Sequence, residues 1–302
     1  MKYILVALSI VFIVLAFLFF NSPSPSPSPS PSPSPSPSPS NPNSEKLKSS
    51  FEDTLFTDSK SNLQNYENGK IDKTKILDNG IVVKWIFNNG GRKIRKGDMV
   101  LLEYRLALKD GSIIDGNNKL NLPFLPFVLG YNMQTPGWDI GISELSTGDY
   151  AKIEIPAELA YGSKGIKDVI PPNSVNWLYV KVLSFVSPGI NEDGVTSWKL
   201  KEGTEKISEK LKKELSFHAI VSTESKASVI NTYFNNSPIK YKIGQNNIVP
   251  GLRKILKNAN KGDKYYVILE SELAHGSMGY STLTKANESV FFNIDVIDVK
   301  LN

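Results

Sequence analysis

The chain contains no cysteine. This excludes a disulfide framework, a thiolate nucleophile, a Cys-ligated zinc site and a lipid-modified N-terminal cysteine. Histidine is almost absent as well: His218 and His275 are the only two in 302 residues. A histidine-rich metal site, or a His-dependent triad in the N-terminal half, is therefore excluded. The sequence has no GxxxxGK phosphate loop, no GxSxG elbow and no acid pair in a recognisable metal or glycosidase context. Neither a cofactor nor a metal is expected. Charge of one sign is in small excess, with 35 Lys and Arg against 30 Asp and Glu, a net +5. No dense basic stripe accompanies it, so nucleic acid is not an expected partner. What is present is an ordinary globular composition, 40% hydrophobic and 22% charged, at a length that suits two domains.

The chain opens on an apolar, uncharged run, Tyr3 to Phe20, preceded by Lys2. A helix of about 18 residues spans about 27 Å, enough for the hydrocarbon core of a membrane. Residues 1–21 are thus expected to be a transmembrane signal anchor. Lys2 lies before the run and the next basic residue is Lys46, which orients everything after the anchor to the extracytoplasmic side. A cleavable signal peptide is the alternative, against which stand the long apolar run and its Leu18-Phe19-Phe20-Asn21 ending. Residues 22–44 form a Ser/Pro-rich linker, in strict Ser-Pro alternation to residue 40. Proline at every second position removes every other backbone donor and favours a polyproline II rod, a spacer of roughly 60 Å. In residues 45–74, Leu47, Phe51 and Leu55 fall at helical spacing and suggest a helical lead-in.

The remainder repeats itself. Phe127-Val-Leu-Gly130 matches Tyr241-Lys-Ile-Gly244, Pro136-Gly-Trp138 matches Pro250-Gly-Leu252, and Glu158-Leu-Ala-Tyr-Gly-Ser163 matches Glu272-Leu-Ala-His-Gly-Ser277, each 114 positions apart. Gly148-Asp149 and Gly262-Asp263 keep the same offset, and Gly80 with Trp85 is echoed by Gly194 with Trp198. A constant offset over such a distance indicates duplication. The two units are assigned to residues 75–187 and 190–302. Within the first, Ile81 to Phe87, Met99 to Leu108, Phe124 to Leu129, Tyr150 to Ile155 and Val175 to Phe185 read as strands. Asp110-Gly111 signals a hairpin. Trp138, Ile142 and Leu145 give helical spacing just after Pro136-Gly137. The expected fold class is α+β, an antiparallel sheet with one short helix on one face.

Aromatic and β-branched residues cluster at the edges of these segments. Lys96-Gly-Asp-Met-Val100 running to Tyr104, then Asp110-Gly111, Ile114-Asp115, Leu129-Gly130, Pro136-Gly-Trp138, Gly148, Ala160-Tyr-Gly162 and Ile170-Pro-Pro172 occur in this order. The set resembles the FKBP family, the macrolide-binding peptidyl-prolyl cis–trans isomerases, over roughly residues 75 to 187. The resemblance implies two FKBP-like domains, each a curved antiparallel sheet wrapped on a short helix. It implies a pocket with Trp138 as floor and Tyr104, Val169, Ile170 and Leu178 as walls. Asp115 and Tyr161 would present polar groups to the substrate carbonyls, and the Thr135 N–H would anchor the peptide. The catalytic set is then Asp115, Trp138 and Tyr161; Ile114, Leu125 and Gln134 complete the substrate-binding set. Rotation about X–Pro crosses a barrier of about 18–20 kcal/mol and breaks no bond, so no nucleophile is required. A dry pocket favours the twisted, less polar amide over the planar one.

The first copy departs from the family pattern. Ile114, Leu125 and Leu178 stand where aromatics are common, Ile166 where a polar residue is common, and Gln134-Thr135 where a Val-Ile pair is usual. Macrolide binding is therefore doubtful. In the second copy Leu252 replaces the floor Trp, His275 replaces Tyr161 and Thr284-Lys285-Ala286 replaces Ile170-Pro171-Pro172. There the acid aligns near Asn231 and Tyr104 aligns with His218, so this copy is expected to be inactive. The expected function is a membrane-anchored prolyl isomerase that assists folding of exported, proline-containing polypeptides at a bacterial inner membrane. The alternative is a non-catalytic chaperone or scaffold that binds through both domains.

Overall fold

The computed structural model of the protein describes residues 71–117, 122–203 and 206–301. The expected anchor, the Ser-Pro linker and nearly all of the lead-in lie outside the described residues. Among the described residues no helix is long and apolar enough to cross a membrane.

Two seven-stranded antiparallel sheets follow one another along the chain. The first holds β1 (Lys73–Ile76), β2 (Val82–Phe87), β3 (Met99–Leu108), β4 (Ile113–Gly116), β5 (Leu125–Val128), β6 (Tyr150–Ile155) and β7 (Asn176–Val186). Its order is β1-β2-β6-β7-β3-β4, with β5 also paired to β3. The second holds β8 (Ile190–Glu192), β9 (Val195–Lys201), β10 (Lys212–Thr223), β11 (Ile230–Asn231), β12 (Ile239–Lys242), β13 (Lys264–Leu269) and β14 (Val290–Leu301). Its order, β11-β10-β14-β13-β9-β8 with β12 on β10, is the same path read from the other edge. Identical topology in both halves is what a duplication predicts.

Alternate residues of each strand face the core, as a period of two requires. On β3 these are Val100, Leu102, Tyr104 and Leu106; on β7, Leu178, Val180 and Val182. Against them lies helix α1 (Pro136–Ile142), which buries Trp138 and Ile142. Pro136 occupies its first turn, where a missing N–H costs nothing. Gly137 and Gly141, one turn apart, let the helix lie directly on β6. A Cβ on Gly137 would sit 2.2 Å from Ile155 Cγ2, and one on Gly141 2.6 Å from Ile153 Cγ2. The helix ends three residues before the expected Leu145. The chain turns there because Leu145 is fully buried and its carbonyl accepts from the Ile94 N–H at 3.2 Å. Helix α2 (Pro250–Leu256) is the counterpart in the second domain and buries Leu252.

Two strands of the first sheet escape the sequence patterns. β1 is an exposed edge of sequence KTKI, with no alternation to detect. β4 is four residues long and contains Asp115 and Gly116, which read as turn formers.

The register also corrects the internal alignment. Tyr104 pairs with Val180, whereas Ala219 pairs with Ile294. Val180 and Ile294 are 114 apart, so Ala219 takes the place of Tyr104, at an offset of 115. His218 instead faces Asp295, as Glu103 faces Lys181. Likewise Leu106 pairs with Asp115 and Val221 with Ile230, so Ile230 rather than Asn231 stands for the acid. Trp198 is not the echo of Trp85. Trp85 pairs with Ala151 and Lys199 with Tyr265, which makes Lys199 the equivalent of Trp85. Both contact the same carboxylate node. Trp85 Nε1 donates to Asp149 Oδ2 at 3.0 Å, and Lys199 Nζ lies 3.2 Å from Asp263 Oδ2.

Trp198 faces outward from its own domain and is still only 3% exposed. It joins Tyr266, Ile268 and Phe291 of the second domain in a cluster with Met99, Val128 and Tyr131 of the first. The outer face of the second sheet is thereby packed on one end of the first domain.

Candidate active site

The site is assembled from β3, β4, the loop before α1, α1 itself and the loop after β6. Tyr104 is held at mid-strand: its N–H donates to Asn117 Oδ1 at 2.8 Å, and Arg105 Nη1 donates to its carbonyl oxygen at 2.8 Å. Its ring meets the Trp138 indole edge-on, with centroids 5.1 Å apart, a favoured aromatic geometry. Phe127 flanks the same indole at 6.1 Å. The Tyr104 hydroxyl donates to Asp115 Oδ2 at 3.0 Å, while Gly116 N–H donates to Asp115 Oδ1 at 2.8 Å.

Burial, the Asp115 charge and the Asp115 hydrogen bond raise the Tyr104 hydroxyl far above an ordinary phenol. Burial first, and Asp115 second, push Tyr161 up as well. Both hydroxyls therefore stay protonated and act as donors throughout the physiological pH range. Tyr161 precedes the 3₁₀ turn Gly162–Lys164, and its carbonyl accepts from the Gly165 N–H at 3.1 Å.

Thr135 is buried and takes the cap position before α1, accepting from the Trp138 N–H at 2.9 Å. Its hydroxyl oxygen is buried with no partner. No hydrogen bond among the described residues uses its N–H. An unengaged donor beside an indole is a place for a peptide carbonyl.

These features define a water-poor patch with two hydroxyl donors, one carboxylate and one free amide. Among the described residues no group of three or more His, Asp or Glu could hold a metal.

A family model described as FKBP-type peptidyl-prolyl cis-trans isomerase matches residues 90–183 and again residues 205–297, more than half of the chain. The chain belongs to this family. It carries two FKBP domains, as the duplicated sheets require. FK506-binding protein 2 of Yarrowia lipolytica is 34% identical over 122 residues, covering 40% of this chain and 84% of the relative. The mouse peptidyl-prolyl cis-trans isomerase FKBP10 is 27% identical over 190 residues, which is 62% of this chain but only 32% of the mouse protein. Among solved structures, the three FKBP domains of wheat FKBP73 align over 76% of this chain at 17% identity, with a TM-score of 0.37.

Within the first FKBP domain, the structure brings Tyr104, Asp115, Trp138 and Tyr161 together. Ile114 and Leu125 are half-buried and pack on the same core. Leu178 is in that core too but has no exposed surface, so it backs the pocket rather than lining it. Gln134 is half-buried between Met133 and Thr135. The Ile166–Ile170 segment closes on itself through reciprocal 2.8 Å bonds. Ile170 is buried there, while Val169 is 45% exposed. Trp138 itself is 3% exposed, so the half-buried Ile114 and Tyr161, which pack on its cluster, form the accessible rim. Sequence reasoning missed Asn117, Met133 and Asp139, which hold the loops around the pocket. The only signal for Asn117 was its place in an Asp-Gly-Asn turn.

The second domain differs at each of these points. Ala219, Ile230, Leu252 and His275 stand where the first has Tyr104, Asp115, Trp138 and Tyr161. His275 stacks on Tyr280 at 5.0 Å, and burial lowers its pKa.

Proposed function

We propose that the first domain is the prolyl isomerase and that the second is not catalytic. The observation that carries this is the grouping of Tyr104, Asp115 and Tyr161 over the Trp138 indole, beside the unengaged Thr135 N–H. The prolyl ring seats against the indole rim, and the Thr135 amide holds the peptide carbonyl on one side. In the planar X–Pro amide the carbonyl is strongly polar and prefers water. Twisting about C–N removes the resonance and reduces that polarity, so a dry site favours the twisted state. The Tyr161 hydroxyl donates to the peptide, while Asp115 fixes the Tyr104 ring through its hydroxyl. No proton is transferred and no covalent intermediate forms. Each 1.36 kcal/mol of preference for the twisted state is tenfold in rate.

In the second domain, Ala219 and Leu252 remove both rings, and Ile230 removes the carboxylate. A tyrosine–carboxylate pair is thus missing from its pocket. With aliphatic Ile114, Leu125 and Leu178, the first domain's pocket has fewer ring faces for a macrolide, and weak macrolide affinity is expected.

The test is a prolyl-peptide isomerisation assay on the full chain and on Trp138→Leu. Leucine suits this environment, because Leu252 occupies the equivalent site and is equally buried. The variant is expected to lose at least tenfold in kcat/KM, roughly 1.4 kcal/mol of transition-state binding. Equal rates would overturn the assignment.

The cellular part of the proposal is an anchored folding factor for exported, proline-containing clients. It rests on the apolar run at residues 3–20 and on the Ser-Pro spacer that follows. A C-terminal reporter that is active only outside the cytoplasm, together with resistance of the chain to carbonate extraction from membranes, would support it. Release of the full-length chain into the soluble fraction would refute the anchor.

A further inference from the structure

The loop that delivers Gln134 and Thr135 to the pocket is gripped from two directions. From inside its own domain, Asp139 of α1 accepts from the Gly130 N–H at 2.5 Å and from the Asn132 N–H at 3.0 Å. From outside, the second domain supplies three more bonds. The Asn132 side-chain amide donates to the Thr223 carbonyl at 3.0 Å and to the Glu224 carbonyl at 2.9 Å. The Ser222 hydroxyl donates to the Tyr131 carbonyl at 2.5 Å, in a site where both groups are buried. Tyr131 also packs against Phe291 with centroids 6.0 Å apart and the rings tilted by 34°, and Lys96 pairs with Glu224 at 2.5 Å.

Asn132 has a φ of +49°, a left-handed conformation that few non-glycine residues adopt. Such a residue stays in place only when its surroundings over-determine it. Three residues further on stands Thr135, whose N–H is the proposed peptide anchor. Met133 lies between them and packs both on the core around Trp138 and on the cluster between the domains. Its sulfur accepts from the Val128 N–H at 3.1 Å.

We propose that the second FKBP domain is a splint for the first. Ser222 and the carbonyls of Thr223 and Glu224 are positioning groups that hold residues 131–133, and through them the Thr135 amide, where the substrate carbonyl must bind. The duplicated domain thus serves the catalytic site it no longer duplicates. This inference rests on the isomerase reading of the first domain. Positional accuracy in a binding site depends on the groups behind the contacting ones, and here some of those groups belong to another domain.

The test uses three full-chain variants. Asn132→Gly keeps the left-handed backbone accessible and deletes both amide bonds. Ser222→Ala deletes the hydroxyl donor, and Ser222→Thr retains one. For a short prolyl peptide, Asn132→Gly and Ser222→Ala are expected to raise KM three- to tenfold with kcat within twofold of the parent. Ser222→Thr should stay within twofold in both constants. Amide exchange at Gly130, whose N–H is held by Asp139, should quicken at least tenfold in the first two variants. Unchanged KM and exchange, with the Trp138→Leu loss still present, would overturn the splint and leave the isomerase reading intact. Parallel losses in kcat and KM that merely track a lower unfolding midpoint would also overturn it. A parent chain no faster than the uncatalysed peptide would overturn both readings.

Discussion

Asp139 shows how a single buried carboxylate can organise a loop and carry an electrostatic cost for doing so. Burial lifts its pKa to about 6, and the Gly130 and Asn132 N–H bonds recover only part of the shift. The folded value therefore lies above the ordinary aspartate value of about 3.9. Between these two pH values the native state keeps a proton that the unfolded chain has released. Stability from this group is fully present below about pH 4 and is lost as pH rises through about 6. Comparing urea unfolding of the parent with Asp139→Asn between pH 4 and 7 isolates the effect, because the other titrations cancel. The parent should lose on the order of 2 kcal/mol relative to the variant over that range. A flat difference would mean that the carboxylate is not desolvated as the geometry implies. Asp139 also marks what a sequence hides at this scale. Tyr104, Asp115, Trp138 and Tyr161 were legible because their motifs are spaced in a recognisable order. Asp139, Asn117 and Met133 act on backbone groups of neighbouring loops and strands that only the folded path of the chain brings beside them, and nothing in their local sequence announces those partners.

At the scale of elements, the long strands and the helix were legible because each carries a strong period: two for β3 and β7, and three to four for Trp138 and Ile142. The duplicated topology was legible from the constant offset of the loop motifs. Which residue replaces which inside a strand was not. Side chains alternate between faces, so an alignment error of one residue exchanges core and surface. Matching Tyr104 to His218 placed a histidine in the second pocket. In fact His218 lies on the other face, with its ring stacked on Tyr233 at 4.4 Å and Nδ1 2.9 Å from Thr232 Oγ1. The hydrogen bonds identify the true partner. Tyr104 N–H donates to Asn117 Oδ1, and Ala219 N–H donates to Thr232 Oγ1 at 2.9 Å. The spacing of Gly80 and Trp85 against Gly194 and Trp198, five against four, already carried this signal. A tryptophan shifted by one position along a strand belongs to the opposite face. The shift frees Trp198 for the cluster between the domains, where its Nε1 donates to the Val186 carbonyl at 2.9 Å.

For the whole molecule, that cluster decides whether the chain behaves as two beads or as one unit. Phe291 and Phe292 are neighbours on β14 and point to opposite faces. Phe292 fills the second domain's own core, whereas Phe291 fills the seam with Tyr131, Tyr266 and Trp198. Phe291 is 2% exposed and meets Tyr266 edge-on at 5.2 Å. Without the first domain, the outer face of the second sheet would carry Trp198, Tyr266, Ile268 and Phe291 as a continuous apolar patch, which water disfavours. Burying that patch couples the stabilities of the two domains, because unfolding either one exposes the seam of the other. Truncating a buried phenylalanine to alanine costs about 3–5 kcal/mol. In Phe291→Ala that loss falls largely on the coupling; in Phe292→Ala it falls on the second domain's own core. Calorimetry of the full chain should give one cooperative transition for the two domains of the parent. Phe291→Ala should resolve it into two, with the β-sheet circular dichroism unchanged at room temperature. Phe292→Ala should move the single transition to lower temperature without splitting it, because the seam is intact. Two separate transitions in the parent, with Phe291→Ala shifting only the one that belongs to the second domain, would show the seam to be a passive contact, and the loop at Tyr131 and Asn132 would then have to be held by Asp139 alone.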